Sequence, residues 1–558
     1  MTETRQDAQL PASTDVLVIG AGAGGAAAAW ALVRQGISVT LIDAGPAYSS
    51  AEYKVADNDW EYSGLPAKPG SQGRHEIVAG QPLDERWDSL KTLYAPRARL
   101  SEQTVRRVRG YSHMRGIGGT TLHFTGWMHR LHPEAFEMQT RFGVAADWPL
   151  TYDELEPYYA MAEQMVGVAG PETVPGRPRS TPFPTPAHLP STLSQAVAHG
   201  GRKLGLSFVP NPVAAPSVPY AGRPDCNFCG CCMHGCPRGD KGSADLTFVA
   251  PAVSSGHCKV LPRHTLIEFR RGAQDTLTGA VIADAYGNQH EIAASHYVLA
   301  AGAVETPRLL LLMDGLGNES GLVGRNFMET LTSGQTGLHP EQIGSHRGYP
   351  EDTICWDFNA PDSIPNIPGG AILLPTVASL GYIGPGRYAE QLVDGFGTEF
   401  KRRLLNTFGR AAGIMVICEN LPNPRSFVSL SKSLTDEFGR PSARIDSFLP
   451  DIEVERLAFA TGKARDLLLA AGVPKIQEAF STYDSFSSSH VFGTCRMGTD
   501  PEASVVNASQ RSHRWKNLWI SDASVFPSSG SGEAPSLTIH ALAIRMADRL
   551  AAQARNQA

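Results

Sequence analysis

Three features of the sequence predict an α/β fold with more than one domain. They are a strand, glycine turn, helix, strand succession at 15–43, alternating β-structure over 258–302, and a long Ala/Leu helix at 536–553. A chain of 558 residues exceeds one small domain, and its length suggests about two to four.

Each element follows from local pattern. "DVLVIG" is a continuous apolar run, as a strand covered on both faces requires. "AAAAWALVRQG" is helical and stops at Gly36, and "SVTLID" is a second strand ending on Asp43. Proline is dense over 170–225, which predicts an extended loop or a domain crossing. "KVLPRHTLIEF" and "TGAVIADAYGNQHEIAASHYVLAAG" alternate like strands, with a type I′-like turn at Gly287-Asn288. Residues 452–472 have helical period, whereas 341–450 is mixed and yields no assignment. No internal repeat is visible.

Composition narrows the function. Hydrophobic residues make up 42% and charged residues 19%, enough for a core. A net charge of −6 without basic runs argues against nucleic acid or an anionic membrane as partner. No apolar stretch reaches the roughly eighteen residues that span a bilayer. "MTETRQDAQLPASTD" has neither an apolar signal core nor a twin-arginine pair. The expected compartment is therefore the cytoplasm, or the periplasm if a signal-bearing partner carries the chain out.

The first motif is G-x-G-x-x-G at Gly20, Gly22 and Gly25. The first glycine makes the turn, the second lets backbone approach a pyrophosphate, and the third lets helix and strand pack closely. Asp43 lies 18 residues beyond Gly25 (43 − 25), at the end of the next strand, where an acid can bind a ribose hydroxyl. This is a dinucleotide site, and the motif alone does not separate NAD from FAD.

The second motif is "CNFCGCCMHGCP", which holds five of the nine cysteines (Cys226, Cys229, Cys231, Cys232, Cys236). Zinc usually needs two separated pairs or added histidines, and only His234 is near. A run ending in Cys-Pro resembles ferredoxin loops. A cytosolic setting disfavours a disulfide knot. An iron–sulfur site and a metal-free thiol loop both remain open. Cys258, Cys355, Cys418 and Cys495 are scattered and read as ordinary buried thiols.

"RGIGGTTLHFTGWMHR", "AAGAVETPRLLLL", "SSHVFGTCRMG" and "NLWISDASVFPSSGSGEAPSLTIHALAIRMAD" follow in an order that resembles the glucose–methanol–choline (GMC) family of FAD-dependent alcohol oxidoreductases. "HFTGWMHR", "YDELEPYY" and the cysteine run look most like gluconate and fructose dehydrogenase large subunits. "CGCCMHGCPRGDKGS" is also similar to long-chain alcohol oxidases. The resemblance implies a discontinuous FAD domain (1–130, 225–340 and 485–558) of the glutathione-reductase-like type. It also implies a substrate domain (131–224 and 341–484) with an antiparallel sheet.

The resemblance implies roles as well. Gly20, Gly22, Gly25 and Asp43 would hold the ADP half of FAD. The Gly118, Gly119 and Thr120 loop would lie along pyrophosphate and flavin. Leu266 would contact adenine through its backbone, and Asp522 would reach the pyrophosphate or ribityl chain. Pro535 to Thr538 would open a helix aimed at the flavin's pyrimidine edge. His123 is either bonded covalently to the flavin or a hydrogen-bonding loop histidine.

His490 matches the family's catalytic histidine, a base for the hydroxyl proton. The residue before that proline, usually a second His or Asn, is here Ala534, whose side chain has no polar atom. Either His490 works alone or Glu533 fills the gap. The other reading of Glu533 is a solvated or helix-capping acid. His540 reads as a packing residue. Cys229, Cys232 and Cys236 are the expected ligands of a 3Fe-4S cluster, with Cys226 and Cys231 in reserve.

The implied activity oxidises a hydroxyl of a sugar, glycoside or sugar acid and passes electrons onward. A small subunit and a cytochrome or quinone acceptor are the expected partners. An oxidase making hydrogen peroxide from a lipophilic or aromatic alcohol is the alternative, and a non-catalytic flavoprotein subunit is a third.

Overall fold

The computed structural model describes residues 10–50, 97–230, 232–233, 235–380, 382 and 384–557. Cys231, His234 and parts of the first expected domain segment (1–9 and 51–96) lie outside these residues.

The predicted βαβ unit forms from Ser13–Ile19, Ala23–Val33 and Val39–Asp43. These strands belong to a seven-stranded sheet in the order Cys258–Pro262, Val39–Asp43, Ser13–Ile19, Gln289–Leu299, Leu277–Ala283, Thr265–Arg271. Leu518–Ile520 also pairs with Gln289–Leu299. The first four strands and Leu518–Ile520 run parallel, and the next two join as an antiparallel meander. The parallel strands are buried on both faces, which is why "DVLVIG" and "SVTLID" lack polar alternation. Ala23–Val33 packs under the terminal helix Ser536–Gln557, which also packs on Tyr152–Val166. Gly24 lets helix Ala23–Val33 approach the end of strand Leu518–Ile520: a Cβ there would lie 1.7 Å from the Ser521 carbonyl oxygen.

The unassigned middle contributes a second, antiparallel sheet in the order Ala371–Pro375, Ala411–Cys418, Leu331–Leu338, Ile476–Ser481. Helix Asp451–Ala470 covers it, close to the expected 452–472. Each sheet has its own core. A third cluster, containing Trp127, Cys226, Trp356, Ile417 and Ala534, lies where the two bodies meet.

Two local expectations are corrected. The Gly287-Asn288 turn is a five-residue loop between Leu277–Ala283 and Gln289–Leu299, and only Gly287 has positive φ. The Asp284 carboxylate accepts from the amides of Tyr286 and Asn288 and wraps the loop, which replaces a two-residue turn. The proline-dense crossing contains a helix, Thr192–Lys203, capped by the Ser191 hydroxyl on Ser194 N.

Candidate active site

A cavity of about 240 Å³ opens at the carboxyl ends of the parallel strands, where Gly20, Asp43, Ala300 and Asp522 emerge. That is where open α/β sheets bind ligands. Gly20 has φ +102°, and a Cβ there would meet the Ala300 oxygen at 2.4 Å. Gly22 caps Ala23–Val33, so the helix's free N–H groups face the cavity. Gly119 crosses directly over this turn, since its Cβ would lie 2.7 Å from the Gly22 Cα. The two glycine loops thus meet backbone to backbone and leave a cradle shaped for a pyrophosphate. Gly25 does not line the cavity. It takes the packing role, its Cβ position falling 1.8 Å from the Gly20 oxygen.

Asp43 reaches the cavity, but its carboxylate also builds the turn: Oδ2 accepts from Ala21 N at 2.9 Å and Oδ1 from Gly45 N at 2.8 Å. Burial raises its pKa. Asp522 is similar, accepting from Gly302 N at 2.9 Å, Thr306 Oγ1 at 2.6 Å and Ser524 N at 2.8 Å. Thr120, Leu266 and Pro535 also line the cavity, whereas Gly118, His123 and Thr538 do not. The Thr538 hydroxyl turns to Tyr159 Oη at 2.9 Å. His540 is the expected packing residue, fully buried with Nδ1 3.0 Å from the Ala23 carbonyl.

A group of charges at the Leu266 end went unread in the sequence. Arg308 pairs with Glu305 at 2.9 Å and Asp436 at 2.6 Å, and Arg440 donates to the Leu266 carbonyl at 2.8 Å. Asp436 and Arg440 come from the turn of a hairpin, Phe427–Thr435 with Pro441–Phe448, in the segment expected to belong to the substrate domain. "DEFGR" carries a turn signal, but nothing in it names the cavity the turn reaches.

At the other end lie Phe124, His490 and Pro535. The backbone of His490 is fixed, its carbonyl accepting from Thr330 N at 3.0 Å and Ser488 Oγ at 2.8 Å. Neither ring nitrogen has a partner among the described residues. Burial holds this imidazole down to about 4, so it is a neutral proton acceptor at pH 7. Pro535 and Ser536 put the amide end of Ser536–Gln557 on the same cavity.

Glu533 is neither solvated nor a helix cap, which corrects that reading. It is 2% exposed and ion-paired with Arg177 at 2.6 Å, and it accepts from His132 N at 3.1 Å. The partner comes from a loop 356 residues away in sequence. Glu533 Oε2 has no partner among the described residues. Nearby, burial raises Glu419 to about 8, and the Glu533 charge adds to the shift.

Ala534 N donates to His129 Nδ1 at 3.2 Å, so the other nitrogen carries the proton and donates to Asn211 Oδ1 at 2.8 Å. His129 was not singled out in the sequence. Its ring packs against Trp127 and Trp356, and both its nitrogens are engaged. It therefore holds the Ala534 backbone in place and is not a second base.

Cys226, Cys232 and Cys236 are free thiols, and Cys229 is exposed on the same run. Phe228 N approaches Cys226 Sγ and Lys241 N approaches Cys236 Sγ, each at 3.5 Å. Burial raises Cys226 to about 12 and raises Cys232 and Cys236 as well. Among the described residues no three His, Cys, Asp or Glu side chains are arranged to hold a single metal ion. The donor chemistry still suits an iron–sulfur cluster: the run gathers cysteine sulfurs, with peptide N–H groups directed at those of Cys226 and Cys236.

A cradle of this kind beside an unengaged histidine fits a dinucleotide-dependent oxidoreductase. The FAD dependent oxidoreductase model matches residues 15–213, and two GMC oxidoreductase models match 115–332 and 422–543. The chain belongs to the GMC oxidoreductase family. It is 29% identical to the fructose dehydrogenase large subunit of Gluconobacter japonicus over 96% of this chain and 98% of that one. It is 31% identical to 6'''-hydroxyparomomycin C oxidase of Streptomyces lividus, over 96% and 91% respectively. The crystal structure of pyridoxine 4-oxidase from Mesorbium loti shares the fold, with a TM-score of 0.62 at 18% identity over 96% of this chain and 99% of that one. Among the described residues no helix is long and apolar enough to cross a membrane.

Proposed function

We propose that this chain oxidises a hydroxyl of a sugar, glycoside or sugar acid to a carbonyl and delivers the electrons to an acceptor other than dioxygen. The observation that carries the reading is His490: a neutral imidazole on the cavity wall with both nitrogens unengaged. It takes the hydroxyl proton as the carbon gives up hydride. FAD, when bound, supplies the hydride acceptor. The helix start at Pro535 and Ser536 favours negative charge at that end of the cavity. His129 fixes Ala534 so that this end keeps its place. The relative named for fructose supports a sugar-like substrate.

Cys229, Cys232 and Cys236, with Cys226 beside them, would hold a 3Fe-4S cluster, which supplies a one-electron exit when present. A small subunit and a cytochrome or quinone would then receive the electrons. The relative named as a large subunit supports that arrangement. Anaerobic bleaching of the flavin by a panel of alcohols, with iron analysis of the same sample, tests the reading. Bleaching by sugars and about three irons per chain are expected. No bleaching by any polyhydroxylated alcohol would sink it. Flavin that stays with acid-precipitated protein, and is released in His123→Ala, would mark a covalent bond at His123.

The relative named an oxidase favours a second reading, in which dioxygen accepts the electrons. An iron-free protein whose flavin reoxidises rapidly in air would establish it.

A further inference from the structure

We propose that Arg106 and Glu329, through the buried ion pair they form, are positioning residues for His490. The proposal rests on the reading that His490 takes the hydroxyl proton. Both side chains are fully buried, and neither residue lines the cavity. The pair is bidentate: Arg106 Nη1 donates to Glu329 Oε1 at 2.7 Å and Nη2 to Oε2 at 3.1 Å. The rest of the guanidinium is directed as well. Nε donates to the Thr482 carbonyl at 2.8 Å, Nη1 to the Ser447 hydroxyl at 3.1 Å, and Nη2 faces the Ser485 carbonyl at 3.5 Å. The Ser447 hydroxyl in turn donates to Glu329.

These contacts fall on the strands that flank His490. Strand Ser485–Ser488 ends just before it and Val491–Phe492 starts just after it. Arg106 grips the start of the first strand at Ser485, and the next residue, Arg107, opens the strand that pairs with it. Glu329 sits opposite Val491 where Met328–Glu329 pairs with Val491–Phe492. The residue after Glu329 completes the link: Thr330 N donates to the His490 carbonyl at 3.0 Å, and the Ser488 hydroxyl donates to the same oxygen at 2.8 Å. Since no described residue bonds the ring, hydrogen bonds place His490 through its backbone alone. For stability, apolar side chains of similar volume would hold two strands as well as a buried ion pair does. What the guanidinium adds is direction, because its donors form one rigid planar fork. Direction matters for a base, since about 1 Å of misplacement can cost about 10²-fold in rate.

The test replaces the pair with apolar side chains, Arg106→Met together with Glu329→Leu. This strands no charge, and the holoenzyme is expected to fold with its full flavin content. Single-turnover bleaching by the fastest alcohol of the panel is expected to slow about 10- to 100-fold, with the half-saturating concentration unchanged. Histidine Cε1 NMR, with His490 assigned by its loss in His490→Ala, requires no alcohol. The His490 ring is expected to titrate about one pH unit higher in the double variant, because a loosened loop admits water. Should the double variant fail to fold, Arg106→Lys, which keeps the charge and loses the fork, is measured in its place with the same expectations. An unmoved titration overturns the proposal, and so does a wild-type bleaching rate where His490→Ala is slow. A full rate in His490→Ala, or no bleaching at all, instead overturns the functional reading, and the titration still decides whether the pair places the ring.

Discussion

The Arg177 guanidinium lies 2.6 Å from the Glu533 carboxylate and 4.0 Å from the centre of the Trp356 ring, and neither charged group is more than 3% exposed. Glu533 stands one residue before Ala534, just ahead of the last helix. The pair locks the segment that carries the amide end of that helix to the cavity, together with Asn359, whose Nδ2 donates to the Ser531 carbonyl at 2.8 Å.

Breaking this pair from one side strands a buried charge. Arg177→Met should destabilise the protein by roughly 3–5 kcal/mol, while Arg177→Met with Glu533→Gln should recover much of that loss. Urea unfolding of the two single variants and the double variant measures the cycle. Additive losses would show that the pair is not coupled.

His490→Ala should keep bound flavin and lose about 10²–10⁴ in the rate of flavin bleaching by alcohol. The neutral imidazole is the active form, so the loss of kcat/KM in acid should begin only as pH approaches about 4. A pH profile of single-turnover bleaching reads this directly.

Buried histidines also set acid stability. Burial holds His490 and His540 down to about 4 and His113 and His129 down to about 3. Below the unfolded value of about 6.5 the unfolded chain binds protons that the folded one refuses. Stability is therefore full above that pH and falls as pH drops through the window to about 3–4, by up to about 1.4 kcal/mol per pH unit for each group. Unfolding midpoints from pH 7 down to 4 should show a fall steeper than one proton explains.

Two glycines of one motif should fail differently. A Cβ on Gly22 meets only the Gly119 Cα, at 3.9 Å, so Gly22→Ala should fold and bind FAD more weakly. At Gly25 the Cβ would lie 1.8 Å from the Gly20 oxygen, so Gly25→Ala should lose the fold along with the flavin. Circular dichroism and flavin content separate the two outcomes.

Cys236→Ser should lose iron and electron delivery to an external acceptor while alcohol still bleaches the flavin. Iron analysis and dye reduction, run beside anaerobic bleaching, check this. Loss of bleaching with iron retained would contradict the proposed division of labour.

Much of the first domain was legible because its signals are local. Gly20, Gly22, Gly25 and Asp43 act through turn geometry and strand ends, and a short window encodes both. The Cys226–Cys236 run was likewise visible as a cluster of donors. The antiparallel sheet was not legible from pattern: Ala371–Pro375 and Ala411–Cys418 are buried along their whole length, so the period-two alternation that marks a half-exposed strand is absent.

What the sequence determined by itself is the cofactor-binding frame and the candidate groups for chemistry: the glycine turns, Asp43, His490 and the cysteine run. Tertiary structure decided what each group is free to do. Glu533 is a charge partner because Arg177 arrives from a distant loop, and His129 is a strut because Ala534 N and Asn211 take both its nitrogens. Burial and pairing depend on neighbours hundreds of residues apart, and these set charge state and hydrogen-bond capacity, which no local pattern records.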